Sequence, residues 1–335
     1  MFFLRHPLHQ PEPLPLKPGL KKEISFAEAM VYGLGIILGA GIYALIGEAA
    51  GIAGNSLWLS FIFAAAVASF TALSYCELSS MFPKSAAEYT YVKNAFRNGL
   101  LGFLMGWISM FAAMAAVSAV ALGFAGYFGT IFGTPLIPTA IAIIVLLSIV
   151  NFLGVKESSR LNLALTFVAV SGLLLVIIMG IPFFGSVNYF EGISPSLGMF
   201  DFLNNIAVAA ALIFFAYIGF EDIANISEET VNAKHAVPKA ILLALAISTI
   251  LYILVAVSVI SIVPWNQLAE SSAPISLVAG TVLGPMGATV FAFIALFATA
   301  STVLIILVTV SRMLYGMAND HSLPSIISKV HPKTH

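Results

Sequence analysis

Eight long apolar segments are the feature that most limits how this chain can fold. A bilayer core about 30 Å thick is crossed by about 20 apolar residues in a helix. Hydrophobic residues make up 60% of the chain and charged residues 9%, against about 25% charged in soluble domains. The sequence therefore predicts an all-α polytopic membrane protein embedded in a lipid bilayer. Its predicted transmembrane helices, spans 1 to 8, lie near 26–46, 57–80, 100–128, 136–154, 161–184, 204–226, 239–263 and 286–314.

The positive charges indicate the orientation of these spans, because cytoplasmic loops accumulate Lys and Arg. With eight spans, all 14 Lys and Arg residues fall on one side of the membrane. The loops on the other side hold the acids Glu48, Glu191, Asp201 and Glu270. We expect a multi-pass protein of the plasma membrane with both termini in the cytoplasm. A net charge of −1 offers no basic surface for nucleic acid.

Span 1 carries five glycines between Gly33 and Gly47, in the stretch GLGIILGAGIYALIG. Each glycine costs a helix about 1 kcal/mol relative to alanine, so a continuous helix is hard to maintain near Gly39 to Gly41. A break would free backbone N–H and C=O groups, which are tolerated at membrane depth where they line a cavity or are covered by protein. The alternative is a continuous helix whose small residues allow close packing.

Span 6 contains a similar irregularity in FFAYIGFEDIANISEE, from Phe214 to Glu229. Gly219 is followed at once by Glu221 and Asp222, and acids within a span are usually functional. Span 6 could simply end here, with both acids among the lipid headgroups. Because apolar and small residues continue through Ile226, we expect a break near 218–220.

Interrupted helices at corresponding places in two halves are typical of transporters built from inverted repeats. Breaks in spans 1 and 6 predict a five-helix unit used twice, with the second unit incomplete. The predicted organisation is a cytoplasmic tail (1–24), a first five-helix repeat (25–185), an extracytoplasmic loop (186–203), a partial second repeat (204–315) and a cytoplasmic C-terminal end (316–335).

Five motifs together resemble one transporter family. They are GAGIY in span 1, LSYCELSSMFPKSAAEYTYVKNAF at 73–96, NFLGVKESSRLN at 151–162, FFAYIGFEDIANISEE with the following VPKAI, and SRMLYGMANDHSLP at 311–324. The chain is similar to the amino acid, polyamine and organocation (APC) permeases, which have the leucine-transporter-type fold. Members of that family continue beyond an eighth span, so the resemblance implies a permease shortened at its C-terminus.

The resemblance implies a binding site built from backbone groups at the two breaks, helices 1 and 6 being broken at mid-membrane. The substrate carboxylate would meet the amides of Ala40, Gly41 and Ile42, where a half-helix N-terminus favours an anion. Gly39 and Gly41 would matter for their lack of a side chain. The substrate ammonium would meet carbonyl groups that match Ile37, Phe215 and Ile218.

The function implied is secondary active transport of an amino acid by alternating access. A truncated or transport-inactive membrane sensor that still binds amino acids is the alternative. Side-chain selectivity would come from residues facing the cavity, for which the candidates are Phe215, Tyr217, Phe220 and 113–118. None of these is charged, which favours a neutral or apolar amino acid, although each aromatic could equally be a packing or lipid-facing residue.

Three modes of coupling remain open. Some proton-coupled relatives carry a lysine in helix 5 where Ala169 stands here, so that mechanism is not expected. Glu221 matches a helix-6 glutamate linked to proton transport in some relatives, and we favour the proton. Ser301 and Thr302 could instead ligate sodium with helix-1 carbonyls, since a hard cation prefers oxygen ligands. Uncoupled exchange is the third possibility.

The chain carries no pattern that indicates an enzyme, a cofactor or a metal centre. Its six histidines lie in tails and loops without metal-ligand spacing, and Cys76 is the single cysteine. The sequence also lacks a Gly-rich loop followed by a lysine, which is the pattern that would indicate ATP binding. Glu77 and Glu88 flank a cytoplasmic loop with Lys84 and Lys93, where structural salt bridges and gating contacts are both open.

Overall fold

The computed structural model describes residues 22–192, 198–271 and 273–329. Within those ranges the regular structure is helical, apart from an isolated bridge between Ile24 and Thr230. The helices are Phe26–Ile37 (α1), Ala40–Ala53 (α2), Leu57–Met81 (α3), Ala87–Phe96 (α4), Gly99–Phe132 (α5), Leu136–Leu153 (α6), Val155–Gly180 (α7), Met199–Tyr217 (α8), Asp222–Asn225 (α9), Ala233–Ile262 (α10), Trp265–Glu270 (α11) and Pro274–Asn319 (α12).

The predicted fold class is confirmed. Eight segments of the described chain are long and apolar enough to cross a membrane. The first, Phe26–Tyr43, covers α1 and the start of α2, and the second, Leu45–Met81, covers the rest of α2 together with α3. The other six correspond to α5, α6, α7, α8 with α9, α10 and α12. Most of the predicted cytoplasmic tail and part of the predicted C-terminal end, residues 1–21 and 330–335, lie outside the described residues, as do 193–197 of the predicted extracytoplasmic loop.

Span 1 is interrupted where its glycines are concentrated. Helix α1 begins in a capping box, in which Ser25 accepts from the N–H of Glu28 and Glu28 accepts from the N–H of Ser25. It ends at Ile37, and α2 begins at Ala40. Between them Gly39 has φ −80° and ψ −136°, which is not helical. The break therefore lies at Leu38 and Gly39, at the edge of the predicted interval.

Span 6 is interrupted between Tyr217 and Asp222, which confirms the predicted break. Gly219 has φ +123°, a backbone conformation that residues with a side chain rarely adopt. A Cβ atom at this position would also lie 2.6 Å from Cγ2 of Ile36, in the last turn of α1. Glycine is thus required here both by the backbone and by the close approach of the two broken helices.

Two short helices and one kink were not predicted. Helices α4 and α11 are too short to span a membrane, and their mixed composition gave no clear periodicity. Helix α12 is bent at Gly284, which has φ +73° and ψ −168°, just before Pro285. The segment before this kink extends the helix back to Pro274, whereas the sequence placed the start of span 8 at 286. The apolar pattern in the sequence therefore indicates only the part of α12 after the kink, which is long enough to cross a membrane.

The two broken helices pack against each other and against α3, α7, α10 and α12.

A buried ion pair joins the end of span 8 to the loop after span 6. Arg312 donates from Nε and Nη2 to the two carboxylate oxygens of Glu229, each at 2.8 Å. The backbone carbonyl of Glu229 also accepts from the N–H groups of Glu23 and Ile24 at 3.0 and 2.9 Å. The segment before α1 is thereby tied to the loop after span 6.

Candidate functional site: a cavity beside the two helix breaks

A cavity of about 310 Å³ lies beside the two helix breaks. Both broken helices contribute to its wall, and α3, α4, α5 and α12 complete it. Small and apolar residues predominate on α5, where Ala112, Ala113, Ala116 and Val120 face the cavity. The site therefore has a largely apolar wall on one side and irregular backbone on the other.

The N-terminus of α2 presents backbone donors at this cavity. The first N–H groups of a helix have no acceptor within the helix. One of them is already paired, because the N–H of Ala40 donates to Oγ1 of Thr302 at 3.2 Å. Within the described residues, no protein acceptor pairs with the N–H of Gly41 or Ile42. Gly41 lines the cavity, whereas Ile42 is buried and is not among the lining residues.

Residues at the carbonyl ends of α1 and α8 line the same cavity. Phe215 and Ile218 both line the cavity and are close to half exposed, at 45% and 44%. The carbonyl of Phe215 accepts from the N–H of Ile218 at 3.3 Å. The carbonyls of Ile37 and Ala216 both lie against the hydroxyl of Tyr252, on α10. Several backbone carbonyls at the two breaks therefore already accept hydrogen bonds from groups of the protein.

Three carboxyl groups line the same cavity: Glu88 on α4, and Glu221 and Asp222 at the break of span 6. Glu221 accepts from the N–H of Gly219 at 2.8 Å. Glu88 accepts from the hydroxyl of Tyr75 at 3.2 Å and from Nδ2 of Asn225 at 3.4 Å. Burial raises the pKa of Glu88, and these hydrogen bonds oppose only part of that shift. Among the described residues that line the cavity there is no Lys, Arg or His.

Comparison with known proteins agrees with this architecture. The family model described as amino acid permease matches residues 24–335. The chain belongs to this family of transporters. A branched-chain amino acid permease of Bacillus subtilis is 32% identical over 94% of this chain and 70% of its own length. A methylthioribose transporter of the same organism is 30% identical over 98% of this chain and 74% of its own length. A vacuolar cationic amino acid transporter of Arabidopsis thaliana is 30% identical over 94% of this chain and 55% of its own length.

The permease brings together many of the residues singled out from its sequence. Those that line the cavity are Ala40, Gly41, Phe215, Ile218, Glu221 and Thr302, with Ala113 and Ala116 from the 113–118 segment. Ile37, Gly39, Ile42 and Ser301 are buried next to it without lining it. Tyr217 and Phe220 are also buried and do not line the cavity. The Tyr217 hydroxyl donates to the carbonyl of Phe61 at 3.1 Å.

Ser301 belongs to a separate buried polar cluster between spans 1, 5 and 8 of the permease. Its hydroxyl donates to Oδ1 of Asn162 at 2.7 Å and lies 3.3 Å from Oγ1 of Thr166. The carbonyl of Gly35 lies 3.5 Å from the same hydroxyl. Ser301 and Thr302, which the sequence grouped as one pair of ligands, therefore face different partners.

Sequence reasoning did not place Glu88, Asp222 or Tyr252 at the site. The sequence indicates that Glu88 flanks a cytoplasmic loop, and nothing in its neighbours indicates that α4 folds back against the cavity. The sequence pairs Asp222 with Glu221 but indicates no separate role for it. Tyr252 lies in an apolar span, where a lone tyrosine is most often a packing residue. A buried hydroxyl needs a partner, and that was the one available signal.

Proposed function

We propose that this permease is a secondary active amino acid transporter that binds its substrate between the broken helices. The observation that carries this proposal is the N-terminus of α2, whose Gly41 amide borders the cavity without a protein acceptor. Backbone donors at a helix N-terminus suit a carboxylate. The amides of Gly41 and Ile42 would hold it, and Ala40, already paired with Thr302, would contribute less.

The substrate ammonium would bind carbonyl groups at the break of span 6. Phe215 and Ile218 are the candidates, because both residues line the cavity. The carbonyl of Ile37 is engaged by Tyr252, although a carbonyl oxygen has a second lone pair. Such a site would bind the ammonium and carboxylate groups common to all amino acids through backbone atoms, and it would need no basic side chain of the protein.

A neutral or apolar amino acid is the proposed substrate. Small apolar residues of α5 supply the wall that a substrate side chain would meet, and the size of the cavity is compatible with a large one. The relatives, named for branched-chain amino acids, methylthioribose and cationic amino acids, differ in substrate. Their names support transport of a small polar metabolite and leave its side chain to experiment.

We further propose that transport is coupled to protons through Glu221. Its carboxyl group lies at the break and lines the cavity, so it can exchange a proton where the substrate binds. Sodium binding by Ser301 and Thr302 is the second candidate. The sodium proposal is weakened because the Thr302 hydroxyl already accepts from the N–H of Ala40 and donates to the carbonyl of Ala298.

We further propose that the permease lies in the plasma membrane with both termini in the cytoplasm, and that the cavity opens alternately to the two sides of the membrane.

Uptake into proteoliposomes containing the 335-residue chain tests these proposals. Each of the standard amino acids, and methylthioribose as a substrate without a carboxylate, would be offered with either a proton or a sodium gradient. We expect uptake of apolar amino acids driven by the proton gradient, with the proton dependence lost in Glu221→Gln and kept in the exposed control Glu77→Gln. Uptake of methylthioribose alone would refute the carboxylate site.

Binding without uptake would instead favour the alternative of an amino acid sensor. Thermal stabilisation of the purified protein by each amino acid measures binding independently of transport, since a ligand that prefers the folded state raises its stability. If uptake is driven by the sodium gradient and is unchanged in Glu221→Gln, the coupling ion is sodium, and the residues around Ser301 become the candidate coupling site.

A further inference from the structure

We propose that Tyr252 is a positioning residue that joins the carbonyl ends of the two broken helices and sets the geometry of the amine-binding side of the cavity. This inference rests on the proposed function of the site. Tyr252 belongs to α10, a continuous helix of 30 residues. Its hydroxyl therefore reaches the breaks from a part of the fold that is not interrupted.

The contacts of this hydroxyl are specific to the breaks. It donates to the carbonyl of Ile37, the last residue of α1, and lies 3.0 Å from the carbonyl oxygen of Ala216, next to the last residue of α8. The last four carbonyls of a helix have no N–H partner within the helix. A tyrosine hydroxyl has one proton, so the two carbonyls share one donor and are held close to the same point.

The ring of Tyr252 is held so that the hydroxyl has little freedom to leave. The residue is fully buried. Its ring centroid lies 5.4 Å from that of Phe61 and 5.2 Å from that of Tyr217. Because the ring is fixed by α3 and α8, the hydroxyl fixes the distance between the ends of α1 and α8.

That distance bears directly on the proposed site. Residues adjacent to both carbonyls, Ile36 on α1 and Phe215 on α8, line the cavity, whereas Tyr252 itself does not. A shift of either helix end would move the backbone carbonyls offered to the substrate ammonium. Since every amino acid carries the same ammonium, the effect would be common to all substrates and independent of their side chains.

The test compares Tyr252→Phe with Tyr43→Phe in proteoliposomes containing the full chain. Tyr43 is also buried, and its hydroxyl also donates to a backbone carbonyl, that of Ala169 at 2.8 Å, but this acceptor lies within the continuous helix α7. We expect Tyr252→Phe to raise the apparent KM by about 2- to 10-fold, the range of one lost hydrogen bond. The factor would be similar for each transported amino acid, and the KM of Tyr43→Phe would stay near that of the wild type.

A merely structural role would lower the amount of active protein and therefore the maximal rate, with KM unchanged. That result, or an equal KM shift in Tyr43→Phe, would overturn the proposal. Failure of wild-type uptake would count against the proposed function instead. In that case hydrogen exchange decides the positioning role without a substrate: we expect faster exchange at the peptides around 36–42 and 215–221 in Tyr252→Phe than in Tyr43→Phe. Equal exchange in the two variants would refute it.

Discussion

Gly41 lies against Ala216 where the two broken helices pack closely at the cavity. A Cβ atom on residue 41 would lie 2.7 Å from Cα of Ala216, and real Cβ atoms do not come that near to backbone. The missing side chain thus has two effects: it allows α2 to pack on α8, and it leaves the Gly41 amide accessible from the cavity.

Gly41→Leu is expected to abolish substrate binding while the protein still inserts into the membrane. The added side chain would separate α2 from α8 and cover the amide that we assign to the substrate carboxylate. Uptake and membrane content would be measured together. Gly123→Leu is the matched control, because a Cβ atom there meets nothing within 4 Å. Normal uptake by Gly41→Leu would remove this residue from the site.

Thr302→Val is expected to destabilise the protein by about 1 kcal/mol, the usual cost of a lost N-terminal cap. The substitution keeps the shape of the side chain and removes the oxygen that accepts from Ala40. Thermal unfolding in detergent measures the change. Thr299→Val serves as the control, since the Thr299 hydroxyl donates only to carbonyls of its own helix; an equal loss in both variants would argue against capping.

Arg312→Met is expected to cost about 3–5 kcal/mol of stability, because it leaves the carboxylate of Glu229 buried without its partner. The side chains of this pair are 12% and 1% exposed. The double variant Arg312→Met with Glu229→Leu should recover much of the loss, as no isolated charge remains. For comparison, Lys93→Met breaks an exposed pair with Asp320, for which about 0.2–1 kcal/mol is expected. Denaturation midpoints in a double-mutant cycle provide the measurement.

Glu88→Gln is expected to reduce the pH dependence of stability. Burial raises the pKa of Glu88 in the folded protein above its ordinary value. Folding therefore favours the protonated form, and this contribution is fully present below the unfolded pKa and is lost as the pH rises through the folded pKa. Glutamine resembles the protonated form at every pH. Melting temperatures from about pH 4 to about pH 8 should fall less for Glu88→Gln than for the wild type, and identical curves would contradict the assignment.

The spans and the breaks were predictable because local sequence determines them. Twenty apolar residues in a row have one stable solution in a bilayer, and Gly39, Gly41 and Gly219 weaken a helix wherever they occur. The same glycine signal could not distinguish a break from close packing, and the structure shows why. Gly41 and Gly219 serve both purposes, since each lies beside a break and against a residue of the other broken helix.

The partners of the breaks were not predictable, because they come from distant parts of the chain. Thr302 is 262 residues from Ala40, and Tyr252 is 215 residues from Ile37. Nothing in the neighbourhood of either side chain indicates which backbone group it will meet. Glu88 shows the same limit: its place in the cavity depends on how α4 is held, with Asn225 accepting from the N–H of Ala87 at 2.8 Å.

The sequence separation of these contacts has a consequence for biosynthesis. The groups that satisfy the first break, Tyr252 and Thr302, lie in spans 7 and 8, and the segment before span 1 pairs with residues that follow span 6. A ribosome delivers span 1 to the membrane well before any of these partners exists. The interrupted form of the first helix therefore gains these partners only after spans 7 and 8 are made, and the nascent helix must remain in the bilayer without them until then.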